Sequence, residues 1–400
     1  MVLILLLFRS RRHFRPHSLS FWRQSSAKEE NTKVLSKYKG IEFHLQHYGG
    51  NGYQFLLNSG PFGASWAFKK PHPKDTWAVR VSVGSQFLAL SGLGRAKAYI
   101  DETLAVWGFR FGPQDVSFAR VDACVDVFAP AFTLNPDHFV MHGGTGRRDY
   151  IAGDKSVNGK SGRTTSVTLG KLSNHQVIIY DKRAEVIAGK KTYWWAIWND
   201  TLRKQGLPLL HYVTLRRGAE RADDPVTLRY VGEEPAFIDA TIPDISRVWR
   251  IELRAGKDCL KDKWGIRTWE DLFARYGDLI RHLGEIVRYT EPNSDDNRSR
   301  WPNHIIWETV MAELNDDLLE MRSGADPNPM KEIHREEHIG LIVRQAFGQM
   351  TTLAALRSVK HEEFNDFLGV VIGDMKDMAH AEPEQTAKKL QDAKDRYRFL

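Results

Sequence analysis

The chain has 400 residues and a mass of 45.9 kDa, which is longer than one ordinary domain and indicates two or three. Hydrophobic residues make up 42% and aromatic residues 11%, so a mostly disordered chain is excluded. The formal net charge is +7, from 57 basic and 50 acidic side chains.

The charge is unevenly distributed along the chain. Residues 1–40 contain nine basic and two acidic groups, residues 41–290 sum to +7, and residues 291–400 sum to −7. Within the middle part, residues 151–290 carry +6. This separation of basic and acidic territory favours a polyanion as the partner of the first 290 residues.

The N-terminal residues 1–39 predict a basic, disordered tail, with an organelle transit peptide as the alternative. Its apolar opening spans eight residues, far fewer than the roughly 20 that cross a bilayer. Its arginines follow the apolar run, whereas a secretory signal has its positive charges in front. No other segment is apolar enough to cross a membrane. Two cysteines, Cys124 and Cys259, predict buried thiols in a reduced, cytoplasmic protein.

The elements up to residue 142 are predicted from side-chain alternation and helical spacing. Alternation predicts strands over 41–48, 52–58, 64–70, 76–83 and 118–128. Apolar residues at helical spacing predict a helix over 93–108 that ends at a glycine, and a second, short helix over 132–142. The next segment, residues 143–162, is rich in glycine and basic residues and predicts a loop or hairpin that contacts DNA.

The elements beyond residue 163 change from strands to helices. Two paired strands are predicted over 164–170 and 174–182, and another strand over 248–255. An insertion, about 186–245, separates the strand over 174–182 from the strand over 248–255 and contains an aromatic amphipathic helix. A helix over 269–289, a polar linker over 291–303 and further helices follow. The predicted fold class is α+β: a curved, mainly antiparallel sheet with flanking helices over 40–290, then an acidic all-helical region over 291–400.

The strand over 118–128 has unusual polar residues on one face. Alternation places Arg120, Asp122, Cys124 and Asp126 together, opposite a row of valines and alanine. Buried carboxylates need a compensating positive charge. A hard divalent cation such as Mg²⁺ or Mn²⁺ would supply it, since such ions prefer oxygen ligands. The alternative is a solvent-facing edge or an ion pair with Arg120.

Two later strands have similar patterns. Arg250, Glu252 and Arg254 share one face of the strand over 248–255, where Glu252 could complete an acidic site or join cross-strand salt bridges. Tyr180 ends the apolar strand over 174–182, with Lys182 two residues beyond. A tyrosine nucleophile needs nearby cations to favour its phenolate. The alternative is a structural tyrosine beside a lysine whose stem is buried.

Taken in order, RVDACVDV, TLGKLSNHQVIIYDKRAE and VWRIELR resemble the motifs of the replication initiation factor family, over about residues 75–290. This family comprises rolling-circle initiators of plasmids and phages and related relaxases of conjugative elements. The resemblance implies that Tyr180 is the nucleophile and that Asp122, Asp126 and Glu252 serve a divalent metal, Mg²⁺ or Mn²⁺. Lys182, Arg120 and Arg250 match the basic positions that would stabilise the added negative charge.

The implied reaction is attack of Tyr180 on one phosphodiester of a DNA origin, which leaves a 5′-phosphotyrosine and a free 3′-hydroxyl. Gly170, Ser173 and Asn174 also fit the family pattern. The chain differs from that pattern at Ile178, where an arginine is common, and at Arg254, where a second acidic residue is frequent.

Three functions are compatible with these residues. The first is a metal-dependent rolling-circle replication initiator that nicks and rejoins origin DNA. The second is a relaxase that nicks a transfer origin by the same chemistry. The third is a DNA-binding regulator without catalysis, against which the retained tyrosine and carboxylates argue. Expected partners are double- and single-stranded origin DNA, a host helicase and a second copy of the chain, with no membrane. The aromatic helix of the insertion predicts packing, or else stacking on single-stranded bases.

Overall fold

The computed structural model describes residues 2–9, 33–141, 155–191, 193–211, 237–314 and 327–399. They confirm the predicted α+β class. The strands are β1 (Val2–Arg9), β2 (Val34–Tyr38), β3 (Ile41–Leu45), β4 (Phe55–Asn58), β5 (Ala64–Phe68), β6 (Trp77–Val83), β7 (Val116–Phe128), β8 (Phe139–Met141), β9 (Lys155–Lys160), β10 (Arg163–Gly170), β11 (His175–Asp181), β12 (Leu209–His211), β13 (Phe237–Asp239), β14 (Val248–Gly256) and β15 (Val287–Tyr289). The helices are α1 (Ser85–Trp107), α2 (Lys182–Ala188), α3 (Tyr193–Lys204), α4 (Pro243–Ser246), α5 (Trp269–Ile286), α6 (Ile305–Leu314), α7 (Pro327–Leu356), α8 (Phe364–Ala381) and α9 (Pro383–Arg396).

Eleven strands form one antiparallel sheet in the order β2-β3-β4-β5-β6-β1-β7-β14-β11-β10-β9. Both outer parts are built from strands that are consecutive in the chain, as short turns favour. The centre is built from strands that are far apart in sequence. As a result β14 lies between β7 and β11, although 119 residues of the chain separate the end of β7 from the start of β14.

The N-terminal segment differs from the expected disordered tail. Val2–Arg9 forms β1, which pairs with β6 on one side and with β7 on the other. Val34–Tyr38 forms β2 at the edge of the sheet. The prediction of a disordered tail is therefore wrong for these two segments. Residue 1 and residues 10–32 lie outside the described part. An apolar run too short to cross a membrane has the length of an ordinary strand.

The main hydrophobic core lies on one face of the sheet. The valines that alternate with the polar side chains of β7 pack into it, together with α1, α5 and α6. Helix α1 is longer than predicted, since it begins at Ser85, and it is kinked at Gly92, where φ is 72°. It ends at Gly108, as predicted, with φ of 91°. Helix α5 begins at a capping box formed by Thr268 and Asp271.

A second hydrophobic core covers part of the opposite face of the sheet. It contains most of α3, together with Val186 of α2, Val248 of β14, and Ala89 and Leu90 of α1. Trp194, Trp195 and Trp198 are each at most 6% exposed in this core. The prediction that the aromatic helix serves packing is confirmed for these three side chains.

The helical C-terminal part returns to the sheet. Ile306 and Trp307 of α6 are buried in the main core, so this core extends beyond the expected boundary at residue 290. Near the C-terminus, Arg398 binds Glu42 and the backbone of Asp395 contacts His44. The C-terminal end of α9 is therefore packed against β2 and β3 at one edge of the sheet. The rest of the expected domain division stays a prediction.

The prediction of a helix over 132–142 is wrong, because this segment forms a turn and a strand. Pro136–His138 forms a single 3₁₀ turn, and Phe139–Met141 forms β8, which pairs with β15. The proline follows Asn135, whose side chain caps the turn, and this local arrangement ends the helical conformation. The predicted hairpin over 143–162 is described only from Lys155, where β9 pairs with β10. Within the described ranges, no helix is both long and apolar enough to span a membrane.

The central position of β1 leads to a testable prediction. Leu5→Pro removes a backbone donor from a strand that has neighbours on both sides, which costs about 3 kcal/mol or more. We expect urea denaturation to show a loss of unfolding free energy of that size. Leu5→Ala keeps the donor and is the matched control. An unchanged free energy for the proline variant would contradict the position of β1.

Candidate functional site

The site lies on the polar face of three adjacent strands. The facing residues of β7 and β14 are Asp122 with Arg254, Cys124 with Glu252 and Asp126 with Arg250, and β11 adds Tyr180 opposite Arg250. Because these pairs alternate with residues of the main core, the predicted common face of each strand is confirmed. The sheet register therefore brings all three sequence motifs to one surface.

Tyr180 and Glu252 form a hydrogen-bonded pair at the centre of this surface. The phenol oxygen of Tyr180 donates to Oε1 of Glu252 over 3.0 Å. Burial raises the pKa of the phenol above its usual range, Arg250 opposes that effect, and Glu252 adds to it. Tyr180 is therefore a neutral phenol whose proton already points at a carboxylate.

Asp126 is held by two donors. Arg250 binds it through Nε and Nη2, at 2.5 and 2.7 Å, and the indole nitrogen of Trp198 donates to the same carboxylate over 2.8 Å. Burial would raise the pKa of Asp126, but Arg250, together with Trp198 and Lys182, holds it below its usual range. Both carboxylate oxygens are used within the protein, as in a bidentate structural ion pair.

The cations nearest Tyr180 are buried under the aromatic helix. Arg250 and Lys182 are each 3% exposed. Trp194 contacts both, with its ring centre 4.4 Å from the guanidinium carbon and 5.0 Å from Nζ. Lys182 also binds Glu185. These two charges lie close to the phenol, but they are covered by α3 and are too buried for DNA to contact them.

Asp122 lies at the other end of the surface between two more exposed arginines. Its Oδ2 is 2.9 Å from Arg120 and 3.7 Å from Arg254, whose side chains are 28% and 25% exposed. Its Oδ1 is buried and has no hydrogen-bond partner among the described residues. Burial raises the pKa of Asp122 to about 6, against the effect of Arg120 and Arg254, and Glu252 adds to the rise.

The expected metal set is only partly brought together. Asp122 and Asp126 are four residues apart on an extended strand, which separates them by about 13 Å. One ion cannot bind both. Asp122 and Glu252 fit a hard cation better, because Asp122 has a buried oxygen without a partner and both are carboxylates. Within the described ranges, no three His, Cys, Asp or Glu side chains are grouped so as to hold an ion.

The residues of the family pattern that precede Tyr180 form a tight turn. Gly170 has φ of 90°, and a Cβ there would lie 2.3 Å from the carbonyl oxygen of His175. The carbonyls of Ser173 and Asn174 accept hydrogen bonds from Asp258 and Gly256. These residues therefore fix the β10–β11 hairpin against the end of β14, and their contacts are structural.

Sequence reasoning missed the part that the aromatic helix α3 plays at this surface. Its indoles Trp194 and Trp198 contact Arg250 and Asp126 directly. The signal in the sequence was the cluster of tryptophans at helical spacing, which predicted packing correctly. It could not show which side chains α3 would cover, because that depends on the long insertion folding back over β14.

Comparisons with known proteins give little further information. No family model matches the chain, and no curated protein matches it. Among solved structures, a rolling circle replication initiator protein from Geobacillus stearothermophilus is 12% identical, with a TM-score of 0.38. The alignment covers 80% of this chain and 97% of that one. Similarity at this level assigns neither fold nor function.

The Asp126–Arg250 pair is expected to be important for stability. Asp126→Asn leaves the buried guanidinium without its counter-charge, which costs about 3–5 kcal/mol. The matched control, Asp244→Asn, removes a carboxylate with 64% side-chain exposure and should leave the unfolding free energy close to that of wild type. Urea denaturation measures both. Equal losses would show that the buried pair has no special role.

The pKa of Asp122 predicts how stability varies with pH. Because its pKa is raised to about 6 in the folded protein, the folded state favours the neutral acid. The stability that this provides is fully present below about pH 4 and is lost as the pH rises through about 6. Relative to wild type, Asp122→Asn should therefore gain about 2–3 kcal/mol between pH 4 and pH 8.

Unfolding free energies measured by urea denaturation at several pH values, without divalent ions, test this difference. The exposed Asp278→Asn is the control, since its carboxylate is 64% exposed. A constant difference between Asp122→Asn and wild type would mean that folding does not shift the pKa of Asp122.

Proposed function

We propose that this protein is a site-specific DNA nicking–joining enzyme that initiates rolling-circle replication, with Tyr180 as its nucleophile. The observation that supports it best is the hydrogen bond from the Tyr180 phenol to Glu252, on a sheet face flanked by arginines. The resemblance of the three sequence motifs to replication initiation factors supports the same reaction.

In the nicking step, the phenol oxygen of Tyr180 attacks the phosphorus of one DNA phosphodiester. The phenol proton passes to Glu252, which is already its acceptor at 3.0 Å. The bond from phosphorus to the 3′ oxygen breaks, and that oxygen leaves with the bonding electrons and takes a proton from solvent. The products are a 5′-phosphotyrosine and a 3′-hydroxyl. Joining is the reverse step: a 3′-hydroxyl gives its proton to solvent and attacks the phosphorus, the bond from phosphorus to the phenol oxygen breaks, and Tyr180 takes its proton back from Glu252.

Arg250 and Lys182 have a supporting electrostatic role in this proposal. Lys182 Nζ lies 5.7 Å from the centre of the Tyr180 ring, and Arg250 faces Tyr180 across the strands. Since both are buried, they stabilise the negative charge that develops on the phenol oxygen without contacting DNA. A Mg²⁺ or Mn²⁺ ion held by Asp122 and Glu252 would polarise the scissile phosphate.

The DNA strand would be guided to this face by more exposed groups. Arg120 and Arg254 are partly exposed beside Asp122. Lys160 and Arg163 lie on the edge hairpin formed by β9 and β10, two strands away from β14. A surface with such charges binds the phosphate backbone with a strong dependence on salt.

The acidic helices are candidates for contact with a second copy of the chain or with a host helicase. Val370, Ile372 and Met378 of α8 are more than half exposed, which is unusual for apolar side chains of a purely solvated helix pair. This remains a proposal separate from the chemistry, and the nicking reaction does not depend on it.

The reaction is tested by trapping the protein–DNA adduct. Tyr180→Phe should abolish the covalent adduct on a supercoiled plasmid that carries the origin, while DNA affinity stays within about threefold. Glu252→Gln removes the proton acceptor and should slow adduct formation by about 10²–10⁴-fold. Denaturing gels measure the adduct, and filter binding measures affinity.

The matched control is Tyr48→Phe, which changes a tyrosine that is 59% exposed and remote from β11 in the sheet order. It should form the adduct at the wild-type rate. An adduct that persists in Tyr180→Phe would rule out Tyr180 as the nucleophile. Wild-type protein that binds its origin without an adduct would favour a regulator that has lost catalysis.

A further inference from the structure

Arg254 stands where the resemblance implies an acidic residue, and it contacts both carboxylates that fit a cation. Its Nε is 2.9 Å from Glu252 Oε2 and 3.7 Å from Asp122 Oδ2. A guanidinium in this position neutralises the acidic pair as a bound metal would. Its position results from the sheet register, since Arg254 lies directly opposite Asp122 and two residues from Glu252 on the same face.

The four cations of the site differ in their access to solvent. The side chains of Arg250 and Lys182 are each 4% exposed, whereas those of Arg254 and Arg120 are 25% and 28% exposed. Arg250 has a bidentate carboxylate partner and an indole against it, and its movement would leave Asp126 without a counter-charge. Arg254 has no such covering ring among the described residues. It is therefore a cation that a DNA phosphate can reach without unfolding the second core.

We infer that Arg254 is shared between the acidic pair and DNA: it neutralises Asp122 and Glu252 in the free protein and moves to a phosphate when DNA binds. This inference rests on the proposed function. The move exchanges a carboxylate partner for a phosphate partner, so the guanidinium keeps its charge-assisted hydrogen bonds throughout. Arg120 stays at 2.9 Å from Asp122 and limits the charge that is left uncompensated.

This sharing has a thermodynamic consequence. Once Arg254 leaves, the two carboxylates repel each other and are open to a divalent cation. DNA and the cation therefore help each other to bind, and by linkage the effect is reciprocal. The free protein should bind the cation weakly, which keeps the nucleophile inactive until its substrate is present.

The test measures Mn²⁺ binding to the full-length protein by electron paramagnetic resonance of the free ion. Arg254→Gln should bind Mn²⁺ about tenfold more tightly than wild type in the absence of DNA. Arg254→Lys keeps the charge and should resemble wild type. Asp122→Asn should bind Mn²⁺ weakly, which would place the ion at this site. Arg281→Gln, an exposed surface arginine, is the matched control.

A second arm adds a saturating single-stranded oligonucleotide at low salt. Wild-type affinity for Mn²⁺ should then rise about tenfold, and that of Arg254→Gln should change little. The inference is overturned if Arg254→Gln binds Mn²⁺ no better than wild type, or if DNA has no effect on Mn²⁺ binding by wild type. The second result is obtained with wild-type protein alone, so it tests the inference even if Arg254→Gln does not fold.

Failure of this inference and failure of the proposed function give different results. Coupled binding of Mn²⁺ and DNA without any covalent adduct would contradict the nicking reaction and leave the sharing of Arg254 intact. A Tyr180 adduct from a protein in which Mn²⁺ and DNA bind independently would contradict the sharing and leave the nicking reaction intact.

Discussion

Three carboxylates on the inner strands of a sheet are costly to bury unless positive charges face them. Here the register of β7 against β14 supplies those charges, because Asp126 lies opposite Arg250 and Asp122 opposite Arg254. A shift of one residue would send these side chains into the hydrophobic core on the other face. The pairing therefore fixes both the register of the central strands and the position of Tyr180 beside Glu252.

The paired charges also explain why α3 packs over this part of the sheet. An arginine buried as completely as Arg250 needs contacts on its apolar faces as well as a counter-ion. Trp194 of α3 lies against the guanidinium, with its ring centre 4.4 Å from the guanidinium carbon, and Trp198 donates a hydrogen bond to the counter-ion Asp126. One end of the polar face is thereby closed. The end with Arg120, Asp122 and Arg254 stays more open, which is where a DNA phosphate can approach.

Much of this arrangement could be predicted from local sequence patterns, since alternation identified β7, β11 and β14 and the faces of their side chains. The joint position of Asp122, Tyr180 and Glu252 followed from the motif resemblance. The separation of Asp122 from Asp126 could also have been recognised, because strand geometry alone keeps them apart. The pairing of β1 with β6 and β7 could not, since an apolar octapeptide has no local signal for its partners. The same holds for α3, whose place over Arg250 depends on contacts across the insertion.

The proposed reaction requires that the phenol oxygen of Tyr180, and no other atom of the protein, becomes joined to DNA. Trypsin would release Tyr180 in a peptide of residues 172–182, in which it is the single tyrosine. Mass spectrometry of the adduct formed with origin DNA should find this peptide carrying a nucleotide through a 5′-phosphate on Tyr180. A nucleotide on another residue, or a peptide that stays unmodified while the plasmid is nicked, would contradict the account.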